Sequence, residues 1–280
     1  MPARRSRTEN WSESLWQLCA RGGPIEISVL AQGAKSLVWR VRLLQIDDGD
    51  LIVEQPVTLR RAVPMQAATP LVGAIAIGQN RWMFLTSVRA TETRFVRGRD
   101  TEVLRLSEPH AVERCQRRSF YRISTVALDL PSVGCWALPE PDAAVPLEMA
   151  TRAALADAAG ASNGAVPDPG ELAMPTVGRG TDAALLNLGG GGACVTVSPE
   201  HASVLDRVGA FLLKLDLTPS VPLALPITAR VAHTKVDSSQ NVQAGFAFDF
   251  SMHREYESFI AEQICRYVVG LQAGGTKAAA

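Results

Sequence analysis

From Ile25 to about Leu106 apolar and polar side chains alternate at every second residue, a period that fits extended backbone and not a helix. The stretches IEISVL, LVWRVRLLQI, DLIVEQP, LVGAIAIG, RWMFLTSVRATETRF and TEVLRL are rich in β-branched, aromatic and leucine side chains. Turn signals separate them: Gln32-Gly33, Asp48-Gly49-Asp50 and Gly78-Gln79-Asn80. Short strands punctuated in this way predict a small antiparallel barrel or sandwich. Just ahead of them, Asn10 to Ala20 predicts a helix with Trp11, Leu15 and Leu18 on one side.

The segment SEPHAVERCQRRS breaks the alternation, and its proline and mixed charges mark a connector. A second strand series follows it: YRISTVALDL, DAALLNL, ACVTVS, GAFLLKLDL, ITARVAHTKV and NVQAGFAFDF. Residues 139–181 split this second set, as a loop between its first two strands. They are dense in Ala, Pro and Gly and nearly devoid of bulky apolar groups, so most of them are expected to form a mobile excursion. Within them MATRAALADAAG has the composition of a short helix. After the last strand, Tyr256, Phe259, Ile260, Ile264, Tyr267, Val268 and Leu271 recur at helical spacing. Ser251 is the expected N-cap, and Gly274-Gly275 the expected stop.

Among the 280 residues, Lys+Arg and Asp+Glu both total 28. A general polyanion binder carries a positive excess, so any anion must here be met by a local cluster. The five cysteines, Cys19, Cys115, Cys135, Cys194 and Cys265, form no CxxC pair, which argues against a structural zinc site or a disulfide framework. MPARRSRTEN lacks the apolar run of a secretory signal, and the longest apolar stretches are too short to span a bilayer. A cytoplasmic protein without membrane insertion is expected. The histidines His110, His201, His233 and His253 are scattered without metal-ligand spacing, and no nucleophile elbow or HExxH is present. No catalytic residue, no metal and no enzyme is expected. His233 reads as an ordinary strand residue, and Asp47, Asp48 and Asp50 as solvated turn carboxylates.

Charge does concentrate in CQRRSFYRIS, where Arg117, Arg118 and Arg122 stand among Phe120 and Tyr121 without a carboxylate. In an extended segment Arg118 and Arg122 project to the same side, about 13 Å apart, and could grip a compact dianion from two ends. Guanidinium bonds phosphate in a fork, stacks on base faces and reads the O6 and N7 of guanine. The second unusual stretch is LLNLGGGGACV. Four consecutive glycines imply a turn with positive φ angles or a surface that something approaches closely. An amide such as Asn187 both donates and accepts, which suits a purine edge. A plain β-turn remains the other reading of the glycines.

Together these pieces resemble the PilZ domain, whose pattern is an RxxxR segment leading into a strand and a later (D/N)xSxxG turn. Arg118-Ser119-Phe120-Tyr121-Arg122 matches the first. Asn187-Leu188-Gly189-Gly190-Gly191-Gly192 matches the second except at Gly189, where the family has serine. AGFAFDF…FIAEQICRYVVGLQ is similar to the family's last strand and closing helix, and Gln116 with the doubled arginine to its flagellar-brake (YcgR-like) subgroup. The resemblance implies a mainly β chain of two small antiparallel β-barrels in tandem, the second, PilZ-like, closed by the C-terminal α-helix. The expected bounds are 14–108 for the first, 109–122 for the connector and 115–273 for the second. The resemblance further implies cyclic di-GMP as ligand, with no other cofactor. Arg117, Arg118 and Arg122 would lie on its phosphates and guanines, Asn187 on a guanine edge, and Gly189 and Gly192 in the turn beneath. Partners implied by the subgroup are flagellar motor or stator proteins at the basal body, engaged when ligand fixes one barrel relative to the other. No DNA partner is expected. Two other readings stay open: a degenerate PilZ protein acting as a constitutive adaptor, and a β-barrel that binds single-stranded nucleic acid.

Overall fold

The computed structural model describes residues 11–30, 36–77, 80–96, 98–116, 131–160, 173–189, 191–205, 209–236 and 240–277. It is mainly β, with a helix at the C-terminal end. The chain divides into two compact units. One takes its residues from Met1–Val57, Ala62–Leu128 and Leu271–Ala280, the other from Thr58–Arg61 and Asp129–Gly270.

The first unit begins with helix α1 (Trp11–Ala20). Strands β1 (Pro24–Val29), β2 (Val38–Asp47) and β3 (Asp50–Glu54) follow. Next in the chain come the two-residue strands β4 (Val57–Thr58) and β5 (Arg61–Ala62), which pair with each other and whose residues Thr58 and Arg61 are grouped with the other unit. Strands β6 (Pro70–Ile77), β7 (Asn80–Val96), β8 (Arg99–Leu106) and β9 (His110–Gln116) complete the set. All six expected strands of this series are present. Antiparallel pairing runs β1–β6–β7–β8–β3–β2 and returns from β2 to β1, so the ladder closes into a ring. Inside it Ile25, Ile27, Trp39, Leu43, Leu51, Leu71, Phe84 and Leu104 are fully buried. Trp11 packs its ring on Phe84 at 5.3 Å, and Leu15 and Leu18 are buried beside it. The Asp48-Gly49 turn has both φ values positive, as a two-residue type I′ hairpin requires. Two of the three turn carboxylates expected to be solvated are instead paired: Asp50 accepts from Arg105 at 2.7 Å, and Asp47 from Arg94 at 3.5 Å.

The segment expected as a connector differs from that expectation in its described part. His110–Gln116 is strand β9, paired along the first half of β7 from Asn80↔Gln116 to Leu85↔His110. Backbone donors and acceptors suffice for such pairing, so a strand needs no apolar alternation of its own. Arg117, Arg118 and Arg122, and the strand YRISTVALDL, lie outside the described residues.

The second unit contains β10 (Ser132–Ala137), a 3-10 turn at Pro141–Ala144 and helix α2 (Val145–Gly160). Strands β11 (Gly180–Gly189), β12 (Gly192–Val197), β13 (Phe211–Leu215), β14 (Leu225–Val236) and β15 (Val242–Phe248) lead to helix α3 (Arg254–Lys277), whose residues up to Gly270 belong to this unit. Pairing runs β11–β10–β13–β14–β15–β12 and returns to β11, again a closed ring. Val133, Leu185, Val195, Leu213, Ile227 and Phe246 fill its inner face. Strand β10 has no strong sequence signal, because Gly134 sits within it. A Cβ at Gly134 or at Gly180 would meet the Trp136 ring, so that indole lies across both glycines.

The expected excursion over 139–181 is corrected in its described part. Helix α2 buries Leu147, Glu148, Thr151 and Leu155. Leu147 and Ala144 form a second small core with Leu138, Ala210 and Leu212 of the ring's outer face. The apolar surface missing from the insertion is supplied by the strands it covers. Helix α3 starts at Arg254, not after Ser251, and continues through Gly274-Gly275. Ser251 instead donates its N–H to Asp249 Oδ1 at 3.0 Å, and the His253 carbonyl accepts the Tyr256 N–H.

Candidate functional site

Strands β11 and β12 form a hairpin whose last pair is Gly189↔Gly192. Along β11 the burial alternates regularly through Ala183 and Leu185, then a bulge inserts Leu186 between the pairs Leu185↔Val195 and Asn187↔Cys194. The bulge advances the alternation by one. Leu188 becomes the next buried residue, and Asn187 is moved to the outer face of the ring. Without the extra residue Asn187 would continue the inward series.

Of the two expectations for the glycines, positive φ angles or a close approach, the described residues show the second. None of the described members of the run, Gly189, Gly191 and Gly192, has a left-handed φ. What Gly192 answers is close approach: a Cβ there would meet the carbonyl of Phe246 and the Cα of Ala247 on β15. The same approach lets the Phe248 N–H donate to the Gly191 carbonyl at 2.8 Å. Gly189 is roomy, its Cβ position lying 3.8 Å from the Gly192 oxygen.

Registers across the hairpin and the next two strands align three rows on this outer face. Gly189, Gly192, Ala247 and Arg230 make one row; Asn187, Cys194, Gly245 and His233 the second; Ala184, Thr196, Gln243 and Lys235 the third. Intervening residues Leu188, Ala193, Val195, Ala244 and Phe246 are buried on the opposite side. The middle of the face is therefore floored by small side chains. The amide of Asn187 stands at one edge, and Arg230, His233 and Lys235 along β14 form the other. A flat ligand with negative charge matches that combination: backbone close beneath it, an amide to read an edge, and the cations of Arg230 and Lys235 beside it.

Arg230 is already engaged. Its Nε donates to Asp249 Oδ2 at 2.6 Å. The Ser251 hydrogen bonds and then Arg230 hold the Asp249 carboxyl down to about 2. On the α2 side, Glu148 is buried and accepts from the Thr228 hydroxyl at 3.0 Å, while its other oxygen lies 3.2 Å from His253 Nδ1. Burial pushes the Glu148 carboxyl up, against the lowering effect of those two partners. Burial, with the nearby Glu148 charge, also raises the Tyr256 phenol well above its ordinary value. Among the described residues no group of three or more His, Cys, Asp or Glu side chains is placed to hold a metal ion. No helix among them is long and apolar enough to cross a membrane.

Of the residues picked from sequence, the structure brings Asn187, Gly189 and Gly192 to one end of one face. Sequence reasoning passed over Arg230, His233 and Lys235, which share it. Their only signal was a basic, alternating β14 opposite a glycine in QAGFAF.

No protein-family model and no curated protein matches this chain. Solved structures do. The Bacillus subtilis inhibitor of motility (MotI/DgrA) is 12% identical, with 88% of this chain and 96% of that one covered at a TM-score of 0.31. YcgR from Escherichia coli, in complex with c-di-GMP, is 14% identical over 96% and 92%, at 0.30. The K. pneumonia MrkH-c-di-GMP complex is 12% identical over 94% and 95%, at 0.31.

Proposed function

We propose that this chain is a receptor for cyclic di-GMP, a binding protein and not an enzyme. The carrying observation is the outer face of the second ring. There a bulge turns Asn187 outward beside Gly189 and Gly192, at the positions where the PilZ-like motif has its guanine-reading residue and its turn. The sequence supplies the matching charge in Arg117, Arg118 and Arg122. A ligand with two phosphates and two guanines is served by forked, stacking guanidiniums and one amide. In the finer reading, capture by these arginines fixes the orientation of two β-barrel units and alters a contact with a flagellar motor or stator protein. Ligand favours one arrangement only through contacts that differ between the two.

Calorimetry with cyclic di-GMP on the wild type and on Arg118→Ala tests the receptor reading. The wild type is expected to bind in the micromolar range, and the variant to lose about 2 kcal/mol or more through truncation of a charge-assisted contact. No heat from wild-type protein at high ligand concentration removes the reading in favour of a constitutive adaptor. Salt-sensitive binding of an oligonucleotide in its place would select the single-strand alternative. Small-angle scattering tests the finer step, which fails if the profile is unchanged at saturation.

A further inference from the structure

Resting on that receptor reading, we propose that His233 is a second base-contacting residue. Its imidazole stacks a purine whose edge is turned toward Asn187.

Two separate bulges support this. One lies between Leu185 and Asn187 on β11, the other between Val231 and His233 on β14. Each inserts one residue, and together they put Asn187 and His233 on the same row and the same outer face, at its two edges. A bulge disrupts the ladder locally and is characteristically found where a side chain has to be re-aimed.

The ring's seat is the second observation. A Cβ on Gly245 would meet Cε1, Nδ1 and Nε2 of His233, so the imidazole lies across the backbone of that glycine. Gly245 is buried although it belongs to the outer row, while His233 itself is exposed. A planar group fixed by the strand below and open to solvent above is a ready stacking surface. Its orientation costs little to hold, because the glycine leaves it no competitor for the space.

Spacing fits one heterocycle. Asn187 and Gly245 are two strands apart, about 10 Å, with Cys194 between them. The neighbouring rows bring Arg230 and Lys235 alongside His233, where a phosphate joined through ribose to the stacked base would lie.

The experiment measures cyclic di-GMP affinity by calorimetry for wild type, His233→Ala, His233→Phe and Asn187→Ala, with a melting curve for each. Loss of a stacking surface is expected to weaken His233→Ala ~10-fold, while His233→Phe, which keeps a flat ring, stays within about threefold of wild type. Because His233 is exposed, both variants are expected to melt as wild type does. A His233→Ala protein within twofold of wild type, beside an Asn187→Ala protein that has lost affinity, overturns the role of His233 and leaves the receptor reading intact. Equal weakening of the alanine and phenylalanine variants overturns stacking. A wild type that binds nothing defeats the receptor reading, and this inference with it.

Discussion

Gly192 and Gly189 are paired with each other at the end of one hairpin, yet alanine at the two positions should have opposite effects. At Gly192 the new methyl would meet the Phe246 carbonyl and the Ala247 Cα, which are backbone atoms that no rotamer change can move aside. Strand β12 would have to shift from β15, straining the Gly192↔Ala247 pair and the 2.8 Å bond from the Phe248 N–H to the Gly191 carbonyl. Overpacking costs about 1–3 kcal/mol and the lost bond about 0.5–1.5 kcal/mol, together roughly 2–4 kcal/mol. That is a large part of the ~5–15 kcal/mol by which a domain is usually stable. At Gly189 a Cβ meets only the Gly192 oxygen, at 3.8 Å, and φ is not left-handed. Alanine there restricts the unfolded chain and stabilises by about 0.4–1 kcal/mol.

Thermal unfolding followed by circular dichroism reads the contrast. For a unit of this size 1 kcal/mol corresponds to about 2–4 °C, so Gly192→Ala should lower the transition of the second unit by roughly 5–15 °C. Gly189→Ala should raise it by about 1–4 °C. A Gly192→Ala protein that melts with the wild type would refute the close approach of β15. So would two variants that fall equally, because the cost would then belong to the glycine run as a whole.

Gly189→Ser uses the same room and supplies the hydroxyl that the proposed (D/N)xSxxG match lacks. Cyclic di-GMP affinity measured by calorimetry should rise about threefold to tenfold, and an unchanged value would mean that position 189 does not face the ligand. Leu212→Ala, at a fully buried site between the ring and α2, should cost about 2–5 kcal/mol in urea unfolding. A loss below 1 kcal/mol would mean that α2 does not cover β13. Glu148→Gln tests the buried carboxyl, whose folded pKa is raised by burial. Such a group contributes its stability below its unfolded value, near 4.3, and loses it as pH rises through the folded value. The melting temperature of wild type relative to Glu148→Gln should therefore fall as pH rises from about 4, and a rising difference would refute the assignment.

Strand positions were legible in this sequence because a two-residue period leaves a trace at every residue, as along Trp39, Val41 and Leu43 of β2. The same property explains what was missed. A bulge changes the phase by one residue without changing composition, so nothing in LLNLG tells that Leu186 is the extra one and that Asn187 faces outward. Asn187 was chosen for its chemistry, and only the register gives it a face. His233 was passed over for the converse reason: its surroundings, Gly245 and Cys194, come from other strands and say nothing locally. Helix α2 was expected over Met149–Gly160 and is present, but its burial was missed in a third way. Its burial was judged from its own poverty in large side chains, whereas Leu138, Ala210 and Leu212 provide the apolar surface from outside it. In each case the missing information was the identity of a neighbour distant in sequence. Pairing long-range strands is the step that a one-dimensional pattern constrains least, since a shift of one residue exchanges the two faces while leaving the pattern's period intact.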